Sequence, residues 1–309
     1  MSEPIATPGF DILGIGCCAL DEILQVPSWP AADGKVQVTG RQRRLGGLTG
    51  ASLLAAARLG ARCAYAGCLG LDAASEFAAA HLAREGIDVS HAPRLPEAGV
   101  VQSTIVIGED SGSRNIFFSV EGRIGAHALL PSEEVIRAAK VLFLDHLGME
   151  GNLRAATIAR GAGIPIVADL EDESHPLFPD VLEAVDHLVL CAEMAQRLTG
   201  FAEPSRAARA LWRESRQAVI VTCGAEGCWC VTARGAEPRH YPAFAVRAVD
   251  TSGCGDVFHG GYTAALARGL PAHERIRFAS AAAAVKATHA ELTGIEDVRA
   301  LMESQPFSP

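Results

Sequence analysis

The feature that most constrains the fold is a regular alternation of short β-rich runs with helical patterns, which begins near Val135. Strands that alternate with helices form a parallel sheet, and ligands bind at the carboxyl ends of its strands. The sequence therefore predicts an α/β fold with a binding site at that edge. The β-rich runs cover residues 141–145, 164–169, 187–190 and 218–222, and the helical patterns cover residues 153–160, 179–184, 192–198 and 205–215.

A glycine-rich segment, Asp250-Thr-Ser-Gly-Cys-Gly-Asp-Val-Phe258, follows an alternating apolar run at 244–249 and precedes a helical pattern. We interpret these stretches as a strand, a turn and the N-terminus of a helix. Gly253 and Gly255 allow backbone N–H groups to converge where the helix dipole favours an anion such as a phosphate. Asp256 lies in the first helical turn beside that anion. This position suits a base that removes the proton of an attacking hydroxyl in phosphoryl transfer.

The same residues also fit ordinary helix-start chemistry, and residue types alone leave both interpretations open. Thr251 or Ser252 could cap the helix, and Asp256 could be an acid favoured by the helix dipole. The thiol of Cys254 at a helix N-terminus could have a lowered pKa and be sensitive to oxidation.

Taken together, the nine residues match Asp-Thr-x-Gly-x-Gly-Asp-x-Phe, and through them the chain resembles the PfkB, or ribokinase-like, carbohydrate kinases. Cys254 stands where that family most often has alanine. The general look of residues 256–261 and 277–281 is similar to ketohexokinase-like and sulfofructose-kinase-like members. The resemblance implies a three-layer α/β/α sandwich with a mostly parallel central sheet and a small β-sheet lid. It also implies that Asp256 is the base and that Gly253, Cys254 and Gly255 form an anion hole for the γ-phosphate of ATP.

Two stretches in the first half of the chain carry the sugar site that the resemblance implies. Asp21 follows the first buried strand pattern and aligns with the family's aspartate that binds substrate hydroxyls, although it could also be a solvated turn acid. Gly46 and Gly47 match the glycine pair that lets a sugar approach the backbone. Ala51 departs from the family, which usually has asparagine there. One substrate hydrogen bond is therefore missing or supplied elsewhere.

The stretch Gly14-x-Gly16-x-x-Ala19 imitates a dinucleotide-binding turn, which requires a helix directly after it. Pro27 and Pro30 interrupt the sequence instead, and residues 36–39 read as a strand. We therefore favour a sugar site over a dinucleotide site here.

Several alternating runs in the first half interrupt the β/α order and read as strands of a small separate sheet. They cover residues 35–44, 100–107 and 114–120, with a turn at 108–113. In the family their counterpart is a lid over the sugar site. We expect one ribokinase-like domain over residues 1–309, with lid strands inserted at about 22–45 and 100–121. In several members the lid also supplies a dimer contact, so the resemblance allows a homodimer through the lid.

The nucleotide and metal sites follow the family less closely. The resemblance implies that Thr222, Gly224, Gly227 and Thr251 bind the nucleotide. The turn at 288–294 matches poorly the region that can help hold a monovalent cation such as K⁺ in relatives.

Many relatives organise Mg²⁺ with Asn-x-x-Glu at a strand edge, and Cys191 and Met194 stand at the matching positions here. Neither side chain suits Mg²⁺, which prefers oxygen ligands. We expect nucleotide phosphates and water to hold the ion, with Asp169 and Glu193 as weak protein candidates.

The composition argues against several other classes of protein. A net charge of −9 gives no electrostatic footprint for nucleic acid, and no apolar run approaches the roughly 18 residues of a membrane helix. Nine scattered cysteines without paired Cys-x-x-Cys indicate neither a disulfide framework nor a zinc site, which favours a cytoplasmic protein. The sequence also lacks the Gly-x-x-x-x-Gly-Lys-Ser/Thr pattern of P-loop kinases.

We therefore expect an ATP-dependent sugar kinase that phosphorylates a hydroxyl, a primary one by preference, of a ketose or a sugar acid. A nucleoside kinase on the same fold stays open, but the expected lid strands offer only Phe117 and Phe118 for stacking on a base. A non-catalytic sugar- or nucleotide-binding relative, suggested by Cys191 and Met194, also stays open. Asp256 argues against it, because a binder has no use for a base beside a phosphate.

Overall fold

The computed structural model of the chain describes residues 9–111, 113–291 and 294–306. Gly112 of the expected lid turn, residues 292–293 of the expected cation turn and both chain ends lie outside these ranges. Over the described ranges, no helix combines the length and the apolar character needed to cross a membrane.

The strands are β1 (Phe10–Ile15), β2 (Ala19–Val26), β3 (Gly40–Gly46), β4 (Cys63–Tyr65), β5 (Val101–Gly108), β6 (Arg114–Ser119), β7 (Ala139–Asp145), β8 (Ile166–Asp169), β9 (His187–Cys191), β10 (Ala218–Thr222), β11 (Cys228–Val231) and β12 (Arg239–Tyr241). The helices are α1 (Leu48–Arg58), α2 (Ala73–Arg84), α3 (Glu133–Arg137), α4 (Met149–Gly161), α5 (Phe178–Ala184), α6 (Ala192–Thr199), α7 (Pro204–Leu211), α8 (Cys254–Ala267), α9 (Ala272–Ala287) and α10 (Ile295–Ser304), with a 3-10 turn at Gly224–Glu226.

The central sheet has the described strand order β12-β11-β10-β9-β8-β7-β1-β4. The strands from β10 to β4 in that order are parallel, and β11 and β12 join the edge as antiparallel strands. The carboxyl ends of the parallel strands therefore share one edge of the sheet, as the β/α alternation predicts.

Helices cover both faces of the central sheet because its strands are apolar on both faces. In β8, Ile166 and Ala168 pack into a core with α4 to α7, whereas Val167 between them packs with α1, α2, α8 and α9. The result is the expected three-layer α/β/α arrangement.

The second, smaller sheet has the described order β3-β2-β5-β6. Strand β2 is antiparallel to β3 and parallel to β5, and β6 returns antiparallel to β5. These strands fall within or next to the ranges 22–45 and 100–121 expected for the lid, and we call this sheet the lid. Register places Asp21 of β2 between Arg44 of β3 and Ser103 of β5.

The prediction of a strand at 244–249, before the glycine turn, is wrong, because this segment has no partner strand in the described structure. The Ala245 N–H and carbonyl bond to the side-chain amide of Gln305, at 2.9 Å and 3.0 Å. The N–H of Val249 bonds to the carbonyl of Ala287 at 2.7 Å. An alternating pattern alone does not make a strand when the backbone groups find other partners.

Two further expectations in the first half have clear outcomes. The strand expected over 35–44 begins only at Gly40, and residues 35–39 are irregular. Strand β2, rather than a helix, follows Gly14-x-Gly16-x-x-Ala19, which removes the dinucleotide-binding alternative. Strand β12 and helices α3 and α10 were not predicted.

Helix α8 approaches α1 closely at Gly260, where a Cβ atom would meet the Ser52 carbonyl and lie 2.9 Å from Ala55 Cβ. We expect Gly260→Ala to lower the free energy of unfolding by about 1–3 kcal/mol, because overpacking outweighs the better helix propensity of alanine. Chemical denaturation measures the change. Gly161→Ala is the matched control, since a Cβ there meets nothing within 4 Å in helix α4. Equal stability of the two variants would contradict this account of the contact.

Candidate active site

Two cavities flank the turn that begins helix α8. The lid cavity has a volume of about 260 Å³ and is bounded by the lid, α1 and the start of α8. The C-terminal cavity has a volume of about 570 Å³ and is bounded by the β10–β11 hairpin, residues 243–248 and helix α9. The glycine turn contributes residues to both cavities and therefore lies between them.

The residues expected from the sequence separate between these cavities. The expected substrate residues Asp21, Gly46 and Gly47 line the lid cavity together with Gly253 and Asp256. The expected nucleotide residues line the C-terminal cavity together with Cys254 and Gly255; they are Thr222, Gly224, Gly227 and Thr251. The structure thus brings each expected group together and places the turn between them.

Helix α8 begins without a side-chain cap. Gly253 is its N-cap residue, with a left-handed φ of 72° that favours glycine. Asp250 Oδ1 accepts a hydrogen bond from the Ser252 N–H at 2.8 Å and so shapes the turn. The interpretation of Thr251 or Ser252 as the N-cap is therefore wrong. The Cys254 N–H bonds to the Thr251 carbonyl at 3.3 Å. No side chain caps the helix, and an anion is the kind of ligand that the N–H groups at an uncapped helix start can bind.

Gly255 adds open space at the same place, since a Cβ there would meet nothing within 4 Å. Gly255 lines the C-terminal cavity. The start of the helix is therefore open on the side of Gly255.

Asp256 lies in the first turn of α8 and is partly buried. Burial raises the pKa of its carboxyl well above the ordinary aspartate value, and the negative charges of Asp169 and Glu171 raise it further. Burial likewise raises the pKa of Asp169, helped by Glu171 and Asp145. A raised pKa makes the Asp256 carboxylate a stronger proton acceptor, as a general base requires.

His259 lies one turn after Asp256 and was not predicted to belong to the site. Its Nδ1 lies 2.9 Å from the Gly255 carbonyl and 3.3 Å from Asp169 Oδ2. Its Nε2 lies 3.1 Å from the Val189 carbonyl. Both ring nitrogens thus lie next to oxygen atoms. Its charge lowers the pKa of Asp256 and opposes the neighbouring acids. His259 follows Asp256 by three residues and so lies on the same face of the helix; this spacing was the signal in the sequence that could have placed it near the site.

Asp21 faces the lid cavity from β2. It accepts a hydrogen bond from the Ser103 hydroxyl of β5. Burial raises the pKa of the Asp21 carboxyl, while Ser103 and the charge of Arg44 lower it. Ser103 was not predicted, because its contact with Asp21 depends on the pairing of distant strands. The arrangement is not that of a solvated turn acid.

The glycine pair at the end of β3 is required because other atoms approach its backbone closely. A Cβ at Gly46 would overlap the Asp21 carboxylate. Gly47 has a φ of 85°, and a Cβ there would meet the backbone of Cys18 and Ala19. Ala51 of α1 also lines the lid cavity, so the amide that the family usually places there is absent from this wall. Arg44 lines the same cavity and is a candidate to supply the lost contact.

The wall of the C-terminal cavity is formed by small residues. Gly224 and Gly227 have positive φ values of 56° and 90°, and a Cβ at Gly227 would meet the Tyr241 carbonyl. Small side chains of α9 form the opposite wall: Ser280, Ala283, Ala284 and Ala287. A narrow slot between a glycine turn and an alanine-rich helix suits a flat aromatic ring such as a purine.

The weak metal candidates do not come together. Glu193 projects into solvent, with its side chain 83% exposed, and pairs with Arg197. Asp169 is buried and pairs with His259. Met194 is buried, and Cys191 caps α6 through its sulfur. Across the described ranges, no group of three or more His, Cys, Asp and Glu residues could hold a metal ion.

The Cys254 thiol does not have the lowered pKa that its place at a helix N-terminus suggested. Burial raises its pKa, and the nearby carboxylates Asp250 and Asp256 raise it further, against the opposing charges of Lys286 and Arg114. This thiol is therefore mostly protonated near neutral pH, which makes it a weak nucleophile.

Comparison with known proteins agrees with the fold and the motif. The pfkB family of carbohydrate kinases matches residues 11–297. The chain is 29% identical over 287 residues to the ribokinase of Haemophilus influenzae, covering 89% of this chain and 91% of that protein. A crystal structure from Agrobacterium tumefaciens superposes with a TM-score of 0.89 at 28% identity, covering 96% of this chain and 98% of the other.

The ribokinase of Arabidopsis thaliana, solved with ribose and ATP, superposes with a TM-score of 0.82 over 98% of this chain and 100% of the other. Its identity of 21% shows the fold alone. Since the family matches nearly the whole length, the chain belongs to the pfkB family of carbohydrate kinases and is a ribokinase-like phosphotransferase.

Proposed function

We propose that the protein is an ATP-dependent sugar kinase that transfers the γ-phosphate to a primary hydroxyl of a ketose or a sugar acid. The observation that carries this proposal is the position of the glycine turn between two cavities. Gly253 and Asp256 line the lid cavity, and Cys254 and Gly255 line the C-terminal cavity. A phosphate donor and a hydroxyl acceptor would therefore meet at the uncapped start of α8.

In the proposed reaction, ATP binds in the C-terminal cavity with its γ-phosphate at the start of α8. The sugar binds in the lid cavity, held by Asp21 and by the backbone of Gly46 and Gly47. The Asp256 carboxylate removes the proton of the attacking hydroxyl as its oxygen bonds to the γ-phosphorus. The bond from that phosphorus to the β,γ-bridging oxygen breaks and ADP leaves. The N–H groups of residues 253–255 hold the charge on the transferring phosphoryl group.

Mg²⁺ enters this proposal with the nucleotide. The described residues offer no ligand cluster of their own, so phosphate oxygens and water would hold the ion and its charge would neutralise them. Asp169 and Glu193 would contact the ion only through water molecules. No step of the proposed proton transfer depends on a protein-held metal.

The lid cavity favours a single sugar over a nucleoside. Its volume of about 260 Å³ lies below the roughly 300–1,000 Å³ typical of drug-sized ligand sites. The lid residues that line it include four isoleucines, Ile23, Ile105, Ile107 and Ile116, whereas Phe117 and Phe118 are not among them. A base would therefore find no phenylalanine of the lid to stack on. A nucleoside kinase is therefore the second candidate.

The cations around the lid cavity favour a sugar acid in particular. Arg44 and Arg114 line this cavity. The Arg44 side chain is only 17% exposed, and its Nε has no hydrogen-bond partner within the described part of the chain. A buried guanidinium N–H without a partner is costly unless a ligand accepts from it. A carboxylate on the acceptor is a suitable group.

We also propose a cytoplasmic homodimer that joins through the lid. Strand β6 is an edge strand of the described sheet, and its neighbouring side chains Phe117 and Phe118 are exposed. A second copy of the lid has the apolar surface to cover them. All nine cysteines are free, as a reducing compartment requires. The chemistry argues against a non-catalytic binder, because such a protein would have no use for Asp256.

Asp256→Asn keeps the shape of the side chain but removes the base. We expect turnover to fall by about 10²- to 10⁴-fold while nucleotide affinity stays within a few fold. Coupled ADP release and calorimetric titration with an ATP analogue measure the two quantities. Asp180→Asn, in the first turn of α5, is the matched control. Near-normal turnover of Asp256→Asn would show that this carboxylate is not the base.

The pH dependence follows from the raised pKa of Asp256. The base works only when ionised, so activity is lost as pH falls through that pKa, well above the ordinary aspartate range. Glu171→Gln removes one of the charges that raise this pKa, so the acid limb of the rate profile should move to lower pH. Asp172→Asn, on an exposed neighbour, should leave the limb in place. A limb that moves the same way in both variants would argue against this assignment.

The acceptor class is tested with a panel of ketoses, aldoses, sugar acids and nucleosides at constant MgATP. We expect turnover with a sugar acid or a ketose. For a sugar acid, Arg44→Gln should raise KM about 10- to 100-fold, the loss of one charge-assisted hydrogen bond. Arg43→Gln is the control, since Arg43 pairs with Glu22 and its side chain is 62% exposed. Turnover confined to nucleosides would favour the second candidate.

A further inference from the structure

The end of helix α9 holds a buried lysine. Lys286 is 4% exposed, and its Nζ lies 3.1 Å from the Asp250 carbonyl and 3.3 Å from Asp250 Oδ2. The same atom lies 3.2 Å from the His289 carbonyl. These oxygens come from two separate segments, the turn that precedes α8 and the turn that follows α9.

The ammonium group fits this set of oxygens. It has three donors, and three oxygens surround it. The Asp250 carboxylate supplies the opposite charge that a buried cation requires. Burial raises the pKa of Asp250, but hydrogen bonds from Ser252 and the charge of Lys286 together hold it below its usual range.

The turn that follows α9 is where the family resemblance implies a monovalent cation, and the residues present do not fit one. The His289 carbonyl of that turn already binds the Lys286 ammonium. Arg44 Nη1 also lies 3.4 Å from Asp250 Oδ2, so two cationic side chains share one carboxylate. A K⁺ ion among the same oxygens would lie against the ammonium, and the like charges would repel it.

The position of the cluster connects it to the start of α8. Asp250 binds Lys286 through its carbonyl and Oδ2, and its Oδ1 accepts from the Ser252 N–H. The N–H groups of Val249 and Asp250 bond to the Ala287 carbonyl, the residue next to Lys286. The ammonium therefore ties the entry of the glycine turn to the end of α9.

We propose that the Lys286 ammonium takes the place of a monovalent cation in this chain, and that phosphoryl transfer here needs no K⁺. Lys286 is then a positioning residue: it acts through Asp250 on the turn that presents Gly253 and Asp256. The inference about activity rests on the proposed kinase function. The inference about cation binding does not, since it concerns the oxygens around Nζ alone.

The first test compares the wild-type protein in K⁺, Na⁺ and tetramethylammonium buffers of equal ionic strength. Turnover and Tm should agree within about twofold and about 1 °C among the three. Stimulation of wild-type turnover by K⁺ of tenfold or more, or a Tm that rises in K⁺ alone, would overturn the proposal.

The second test removes the Lys286 ammonium from among the oxygens of Asp250 and His289. Lys286→Ala should lose about tenfold or more in turnover in tetramethylammonium buffer and recover most of it in K⁺ or NH₄⁺. Its Tm should rise by about 2 °C or more in K⁺ over tetramethylammonium, because a cation that binds only the folded state stabilises it. Lys140→Ala, which removes a lysine paired with Asp11 at the surface, should show neither effect.

A Lys286→Ala protein whose turnover and Tm both ignore the cation would contradict the proposal, since a purely structural lysine predicts that result. The Tm comparison needs no acceptor. If no sugar supports turnover, the proposed function fails while the Tm comparison still decides whether Lys286 stands in for a cation.

Discussion

The uncapped start of helix α8 is the constraint on which the candidate site depends. Gly253 takes a left-handed conformation that ends the turn, and the helix then begins with N–H groups that no side chain satisfies. The packing of Gly260 against α1 fixes the axis of the helix, so the direction of these N–H groups is set by the core. An anion at this point completes hydrogen bonds that the fold leaves open. The two cavities matter because they meet there.

Charge around this point is balanced by groups from several elements. Burial raises the pKa of Asp256, the charges of Asp169 of β8 and Glu171 after it raise it further, and His259 lowers it. On the other side of the turn, Lys286 and Arg44 share Asp250. The site thus has a basic carboxylate on one side and a surplus of cationic side chains on the other. This distribution suits a reaction in which a proton moves to an acid while an anionic group crosses between cavities.

Much of the fold and the contiguous part of the site could be predicted from the sequence. The β/α alternation after Val135 predicts the parallel sheet because helices and strands repeat with different periods. Gly253 and Asp256 could be predicted because their spacing within one segment carries the chemistry. Ser103 and Lys286 could not, because their partners Asp21 and Asp250 lie in distant segments. His259 could have been suspected from its place three residues after Asp256, but its contact with Asp169 of β8 could not. The run at 244–249 shows the opposite error, since its alternation has no partner strand.

The central claim is that the start of α8 receives the transferring phosphate between the two cavities. A crystal structure with Mg²⁺ and a non-hydrolysable ATP analogue tests it most directly. The account predicts the terminal phosphate within hydrogen-bond distance of the N–H groups of residues 253–255, with the nucleotide base in the C-terminal cavity. A terminal phosphate away from this turn, or a nucleotide in the lid cavity, would contradict it.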